Sequence, residues 1–386
     1  MSKRVGVQEF VTNFDMFGKN LPTLNMHGKT KKQTIVGACC SILILILTSI
    51  FGILKLEHMI KRKNPMIGRL TVNIDTKESY SLSQDEFMMA VMIEKSGGKD
   101  IPYDSRYTRW IAEGWEYKVR EDEYKITRTL MHPCTADDLS NFYTPDSAET
   151  AEKFSKFVLD GNLFCLSKKA REFEIFGSYY QPHDYNGFFI KQIPCATLVT
   201  LYDGSEVGGP DEDCVWDQQQ VKAQLGNNNY QMQLYFNQQK FKTDAYGAEI
   251  IQRFSTRHTA VVNADRPSWV DTFVEKNELV DDSDLLQLGQ LNNVDFTSVK
   301  SGETQGSTSN VWPTKTKPSM YLLGGYWLEL SQNPSTYERQ TYSLLEWLGD
   351  VGGLFDGLCL LFQLFLAPLA TFAMKAELLY EGFSLI

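Results

Sequence analysis

The chain has 386 residues, 42% of them hydrophobic, and a formal net charge of -10. An acidic chain lacks the concentrated Lys and Arg that neutralise phosphates, which argues against a general nucleic-acid binder. With its longest apolar stretches set aside, the remainder still suffices for one large core or two modest ones.

Residues 1–34 read as a polar, cytoplasmic N-terminal tail. Phe10, Phe14 and Phe17 stand at i, i+4 and i+7, a spacing that suits a short helix on a membrane surface and equally a flexible tail; Gly28 should end any such helix. No charge occurs from Gln33 to Leu54. At about 1.5 Å per residue that stretch spans about 33 Å, the thickness of a hydrocarbon core, and predicts a first transmembrane helix over residues 35–56. It starts too far into the chain and lacks the small-residue cleavage pattern of a removed signal, so it reads as a signal-anchor. Lys19, Lys29, Lys31 and Lys32 precede it while Lys55, Lys61, Arg62, Lys63 and Arg69 follow, so flanking charge does not choose an orientation.

Residues 57–334 form the predicted extracytoplasmic domain. Short segments rich in aromatic and branched residues predict strands at 70–74, 87–93, 173–176, 188–193, 230–236, 250–254 and 259–262. Tyr230, Met232, Leu234 and Phe236 alternate with polar neighbours and should share one face. Helices are expected at 148–158 and 211–225, the latter ending at Gly226. Residues 296–319 are polar and turn-rich, as in an exposed loop. Ser335 is placed to cap a juxtamembrane helix over 335–350, which would run into a second transmembrane helix at 351–374 and a short tail at 375–386. The expected fold class is α+β: two transmembrane helices flanking a large, mostly antiparallel β-rich domain with a few helices.

Seven cysteines divide by region. Cys39, Cys40 and Cys359 lie in the spans, while Cys134, Cys165, Cys195 and Cys214 lie in the central domain. An even number in one compartment suggests two disulfides and a lumenal or extracellular location, in the secretory pathway or at a cell or ciliary membrane. Three pairings are open, and the working expectation is Cys134 with Cys165 and Cys195 with Cys214.

Gly349, Gly353 and Gly357 recur every fourth residue, and Gly37, Ser41, Thr48 and Gly52 give the first span a comparable small-residue face. Such stripes let helices pack closely, within a chain or between chains. Glu346, Asp350, Asp356 and Gln363 cluster where the second span begins. They suit either salt bridges to the basic collar Lys61-Arg62-Lys63 or, in a ring of subunits, a cation-attracting pore mouth.

Asp203, Glu206, Asp211 and Asp213 surround a Gly-rich turn and make a weak calcium candidate without EF-hand spacing. No nucleophile elbow, P-loop, dinucleotide fingerprint or HExxH occurs. His132, His183 and His258 are isolated in sequence, so neither an enzyme nor a cofactor is expected.

Asp15, Lys19, Lys29, Thr34 and Gly37 follow the pattern that leads into the first span of two-span cargo receptors of the early secretory pathway, which this segment resembles. That resemblance implies a lumenal β-rich domain with cysteines between two spans. Gly352, Gly353, Leu354 and Gly357 are similar to the approach to the second span in the amiloride-sensitive sodium channel superfamily. The overall arrangement, with Tyr337, Tyr342 and the Gly-Gly second span, resembles two-span protein families of ciliates and related protists. The expected function is a non-enzymatic membrane adaptor or scaffold whose outer domain binds a partner or cargo, in the bilayer and as an oligomer or membrane-protein complex. The alternative is a subunit of a homotrimeric cation channel lined by the second helix.

Overall fold

A computed structural model describes residues 10–20, 31–32, 34–71, 80–83, 87–95, 99–101, 103–140, 142, 147–166, 172–177, 184–225, 229–246, 249–263, 266–282, 284, 291–306 and 311–384. The chain divides into two compact units, one of residues 1–66, 281–291 and 339–386, the other of 67–280 and 292–338. In chain order the principal elements are α1 (Ile35–Ile60), β1 (Met66–Thr71), β2 (Met89–Lys95), β3 (Lys99–Asp100), β4 (Thr108–Lys118), β5 (Glu123–Leu130), β6 (His132–Pro133), α2 (Ala148–Leu159) and β7 (Phe164–Cys165). They continue with β8 (Tyr185–Pro194), α3 (Gln218–Gln224), β9 (Asn229–Phe241), β10 (Ile251–Asn263), β11 (Ser268–Asp282), β12 (Asn292–Gly306), β13 (Gly324–Leu330), β14 (Ser335–Gln340) and α4 (Leu344–Ser384).

The second unit is a sandwich of two sheets. The smaller runs β10-β9-β2-β7-β6 with β3 on β2, and the larger runs β1-β14-β11-β13-β8-β4-β5 with β12 on β11. The ladders β8–β13, β8–β4, β4–β5, β9–β10 and β9–β2 are antiparallel, and β11 with β13 is parallel. Tyr230, Met232, Leu234 and Phe236 of β9 are all fully buried and meet Trp110 and Ala112 of β4, Phe188 and Ile190 of β8, and Tyr326 and Leu328 of β13 in one core. Each fully buried large side chain of this kind stabilises the fold by about 1.5–3 kcal/mol, so the alternation along these strands sets which face points inward. The Tyr326 hydroxyl crosses that core and donates to the Met232 carbonyl at 2.7 Å, shared with the His258 carbonyl at 3.1 Å. Cys134 is joined to Cys165, and Cys195 to Cys214.

In the first unit, α1 and α4 keep their apolar side chains outward. Ile46, Ile50 and Ile53 of α1 and Leu360, Leu364, Phe365 and Phe372 of α4 are all half or more exposed. A core helix of a soluble protein would bury such residues; these two cross a membrane. α4 contains Pro368 and has a candidate span of 33 residues, Leu344–Ala376. The chain is thus an α+β membrane protein, its two spans flanking a disulfide-containing β-rich domain of lumenal or extracellular type.

Four local expectations differ. Residues 335–340 form strand β14 and no juxtamembrane helix; α4 starts at Leu344, where Ser343 Oγ accepts from Glu346 N at 3.2 Å and Glu346 Oε2 accepts from Ser343 N at 2.9 Å. Such a reciprocal box closes a helix end better than a lone serine. Residues 296–306 belong to strand β12 rather than a loop. The helix expected over 211–225 is confined to α3, because Asp217, not Asp211, caps it through Gln219 N. The outer unit takes in residues 67–280 and 292–338 in place of 57 to 334, since α1 continues to Ile60. Gly28, Gly226 and residues 72–74 of the first expected strand lie outside the described residues.

Candidate functional site

Register decides what the larger sheet shows on the face turned away from the core. Glu113 stands opposite Arg128 and Phe189, Trp115 opposite Ile126 and Gly187, and Tyr117 opposite Tyr124 and Tyr185. Phe189 in turn faces Trp327, which faces Asp271, while Gly325 faces Trp269. Residues opposite one another share a face, so five strands contribute to one surface.

Along that surface the character changes in bands. At one end Ile111, Ile193, Val199, Leu201 and Val207 pack together under the turn that follows β8. Next comes a charge cluster, in which the fully buried Glu113 carboxylate accepts from Arg128 Nε at 2.8 Å, Trp115 Nε1 at 3.0 Å and Lys191 Nζ. The Lys191 ammonium also lies 4.5 Å from the Phe189 ring centroid. Burial pushes the Glu113 carboxyl up, but the Lys191 and Arg128 cations outweigh it and hold it below the usual carboxylate range. Beyond the cluster, Trp327 meets Trp115 and Phe189 edge to face at 5.9 and 5.4 Å, and Phe189 meets Trp269 at 6.0 Å. Trp115, Trp269 and Trp327 all remain partly exposed, and the outermost band, Tyr117 stacked on the half-exposed Tyr124 at 4.3 Å, opens to solvent.

Two glycines make room for the rings. A Cβ at Gly187 would fall 2.5 Å from the Trp327 ring, and one at Gly325 would fall 2.6 Å from the Phe189 ring. Trp269 repeats the Trp115 pattern, donating Nε1 to the carboxylate two residues along its own strand, Asp271, at 3.1 Å. Burial pushes the Asp271 carboxyl up, against the hydrogen bonds from Gln305 and Trp269. The surface can therefore offer flat aromatic contact beside a positively biased cluster of two cations on one buried carboxylate. The sequence reading did not single it out; the signal was a tryptophan two residues from a carboxylate, Glu113 before Trp115 in EGWEY and Asp271 after Trp269 in SWVD.

The residues singled out from sequence lie elsewhere. Asp203 Oδ1 is taken by Ser205, and Arg109 binds Glu212, which also accepts from Gly208 N at 2.7 Å. Among the described residues the candidate metal ligands that converge within 4.8 Å are Cys195, Glu212 and Cys214, where the two sulfurs already form a disulfide; Asp203, Glu206, Asp211 and Asp213 do not converge as a calcium site. His132 contacts Asp138 at 3.0 Å, His258 stacks edge-on to Phe236, and His183 lies outside the described residues.

In the membrane unit, Gly37, Ser41, Thr48 and Gly52 are buried along α1. Gly52 packs against Trp347 and Val351 of α4, and its carbonyl accepts from Trp347 Nε1 at 2.9 Å. Asp350 accepts from Lys55 Nζ at 2.8 Å and Tyr342 Oη at 2.7 Å, so it pairs with a lysine of α1 that lies outside the Lys61-Arg62-Lys63 collar. Glu346 is held in its capping box. Gly349, Gly353 and Gly357 face nothing within 4 Å, and Asp356 and Gln363 are exposed.

Comparison with known proteins gives little to transfer. No curated protein matches the chain. A solved structure of a proton-activated chloride channel, determined by cryo-EM, is similar over 86% of this chain and 95% of its own at 8% identity, with a TM-score of 0.27, too low to bear on fold or function. A family model described as the N-terminal domain of an uncharacterised 80 kDa protein matches residues 90–320, more than half the chain and most of the sandwich. The chain belongs to that family.

Proposed function

We propose that the protein is a non-enzymatic two-pass adaptor or scaffold of the secretory pathway or of a cell or ciliary membrane, whose outer domain binds a protein partner or cargo. The observation that carries this reading is the outward face of the larger sheet. Partly open indole rings around a charge cluster built on the buried Glu113 carboxylate supply what hot spots of protein interfaces use, broad aromatic contact and Arg, with little side-chain entropy left to lose. A photo-crosslinking amino acid at Tyr124 tests it, with Val261, comparably exposed on β10 of the smaller sheet, as control. A discrete adduct in native membranes from Tyr124 alone, lost on Trp327→Ala, is expected. Identical adducts from both positions refute the assignment.

One observation favours the second reading, a homotrimeric cation-channel subunit. Asp356 lies within the span of α4, exposed, and among the described residues no hydrogen bond or ion pair reaches it. A carboxylate at that depth is costly in lipid unless water or a neighbouring subunit meets it, and the uncovered glycine stripe would let a neighbour approach. Unchanged permeation in Asp356→Asn and Asp350→Asn would remove the channel reading.

A further inference from the structure

The tail before the first span is bound to the span itself. Thr34 caps α1, its Oγ1 accepting from Gly37 N at 3.0 Å. Asp15 lies over that cap: its Oδ2 accepts from Thr34 N at 2.6 Å and Thr34 Oγ1 at 3.2 Å, and its Oδ1 accepts from Phe17 N at 2.8 Å. Gly37 is what admits it, since a Cβ there would fall 2.2 Å from Asp15 Oδ1. The contact then runs deeper, because Met16 N donates to Ser41 Oγ at 3.1 Å, while Ser41 donates to the Gly37 carbonyl at 2.9 Å.

That last bond fixes depth. Ser41 lies about 9 Å along the helix axis beyond Ile35, at about 1.5 Å per residue. Met16 is therefore held beside apolar turns of α1, and past the point where the helix begins. Its neighbourhood is built for such a place. The backbone N–H groups of Phe14, Asp15, Met16 and Phe17 are all bonded, to Val11 O, Thr12 O, Ser41 Oγ and Asp15 Oδ1, as a segment withdrawn from water requires. The side chains point the other way in polarity: Phe10 is 64% exposed, Phe14 45% and Met16 50%, continuous with the outward Ile35 and Val36 of α1. A water-facing tail gains nothing from this arrangement, whereas the boundary between headgroups and acyl chains satisfies it.

We infer that residues 10–17 form an interfacial wedge, with Phe10, Phe14 and Met16 inserted into the lipid surface beside α1 and Asp15 clasping the wedge to the span. The occupant of this apolar surface is the bilayer, continuous with the surface α1 already gives to lipid.

The test uses the full chain in lipid nanodiscs, with Cys39, Cys40 and Cys359 replaced by Ala and a nitroxide placed at Phe14→Cys or, separately, Met16→Cys. Collision with oxygen against a water-soluble nickel chelate reads depth, with Tyr202→Cys as the aqueous reference. Labels at 14 and 16 should favour oxygen severalfold over the reference, and Asp15→Ala should move them to the aqueous value. Gly37→Ala, which leaves the carboxylate intact and fills its place, should do the same and serves if Asp15→Ala does not fold. Aqueous values in the parent protein, protection from both reagents as under a protein partner, or depths unaltered by both substitutions would each overturn the proposal.

Discussion

Glu113→Leu isolates the energetic core of the aromatic face. It leaves the Lys191 side chain, 11% exposed, beside an apolar residue in place of a fully buried carboxylate, and deprives Arg128, 29% exposed, of its anion. Breaking a buried pair from one side costs about 3–5 kcal/mol, most of it the stranded cation. Arg128 can swing to water, so Lys191 sets the size of the loss. For a unit of this length about 3–5 kcal/mol corresponds to a fall of roughly 10 °C in its melting temperature. Adding Lys191→Met removes the stranded charge, and the double variant should regain more than half of the loss. Thermal unfolding of the full chain in mild detergent, followed by tryptophan fluorescence, measures all three proteins against the parent. A single variant within about 1 kcal/mol of the parent, or a double variant no better than the single one, would show that the cluster is not a coupled buried unit.

Acid should weaken the sandwich through His258, whose burial holds its pKa down to about 4 from 6.5. A histidine shifted this way adds stability that is fully present above its unfolded value and is lost as pH falls between the two, a drop of about 3 kcal/mol. His258→Gln should flatten the stability profile from pH 6.5 to 4, and a profile with the parent's slope would count against it. Alkylation of the denatured, unreduced protein should modify three thiols, Cys39, Cys40 and Cys359, and all seven after reduction. Replacing either disulfide pair by serine should destabilise the outer unit by about 3–4 kcal/mol from loop entropy, read as a lower denaturant midpoint.

The spans and the β-rich character of the outer domain were legible wherever one pattern dominated. Uncharged residues from Gln33 onward marked α1, and the run of Tyr230, Met232, Leu234 and Phe236 announced a face buried without exception. Where two signals competed, the reading failed. Ser335 with Glu338 and Ser343 with Glu346 offer the same capping spacing, and only the second forms, because Tyr337 packs with Phe241 and Phe296 and draws residues 335–340 into a strand. β12 passed for a loop because its polar residues and Gly302 look turn-like. In place that glycine has its would-be Cβ 2.5 Å from the Phe273 ring, the close approach a strand glycine often marks. The aromatic face was hidden for another reason. It draws on β4, β5, β8, β11 and β13, and no periodicity within one strand says which strands lie side by side.

The Tyr326 hydroxyl, shared between two carbonyls of the opposite sheet, has a mechanical consequence. Sheets joined only by oily contacts can creep over one another, since one apolar contact replaces the next at little cost. A phenol seated between the Met232 and His258 carbonyls cannot move one residue along without stranding a polar group in the core. The sandwich is thereby keyed against shear, and a load applied to one sheet is borne by both.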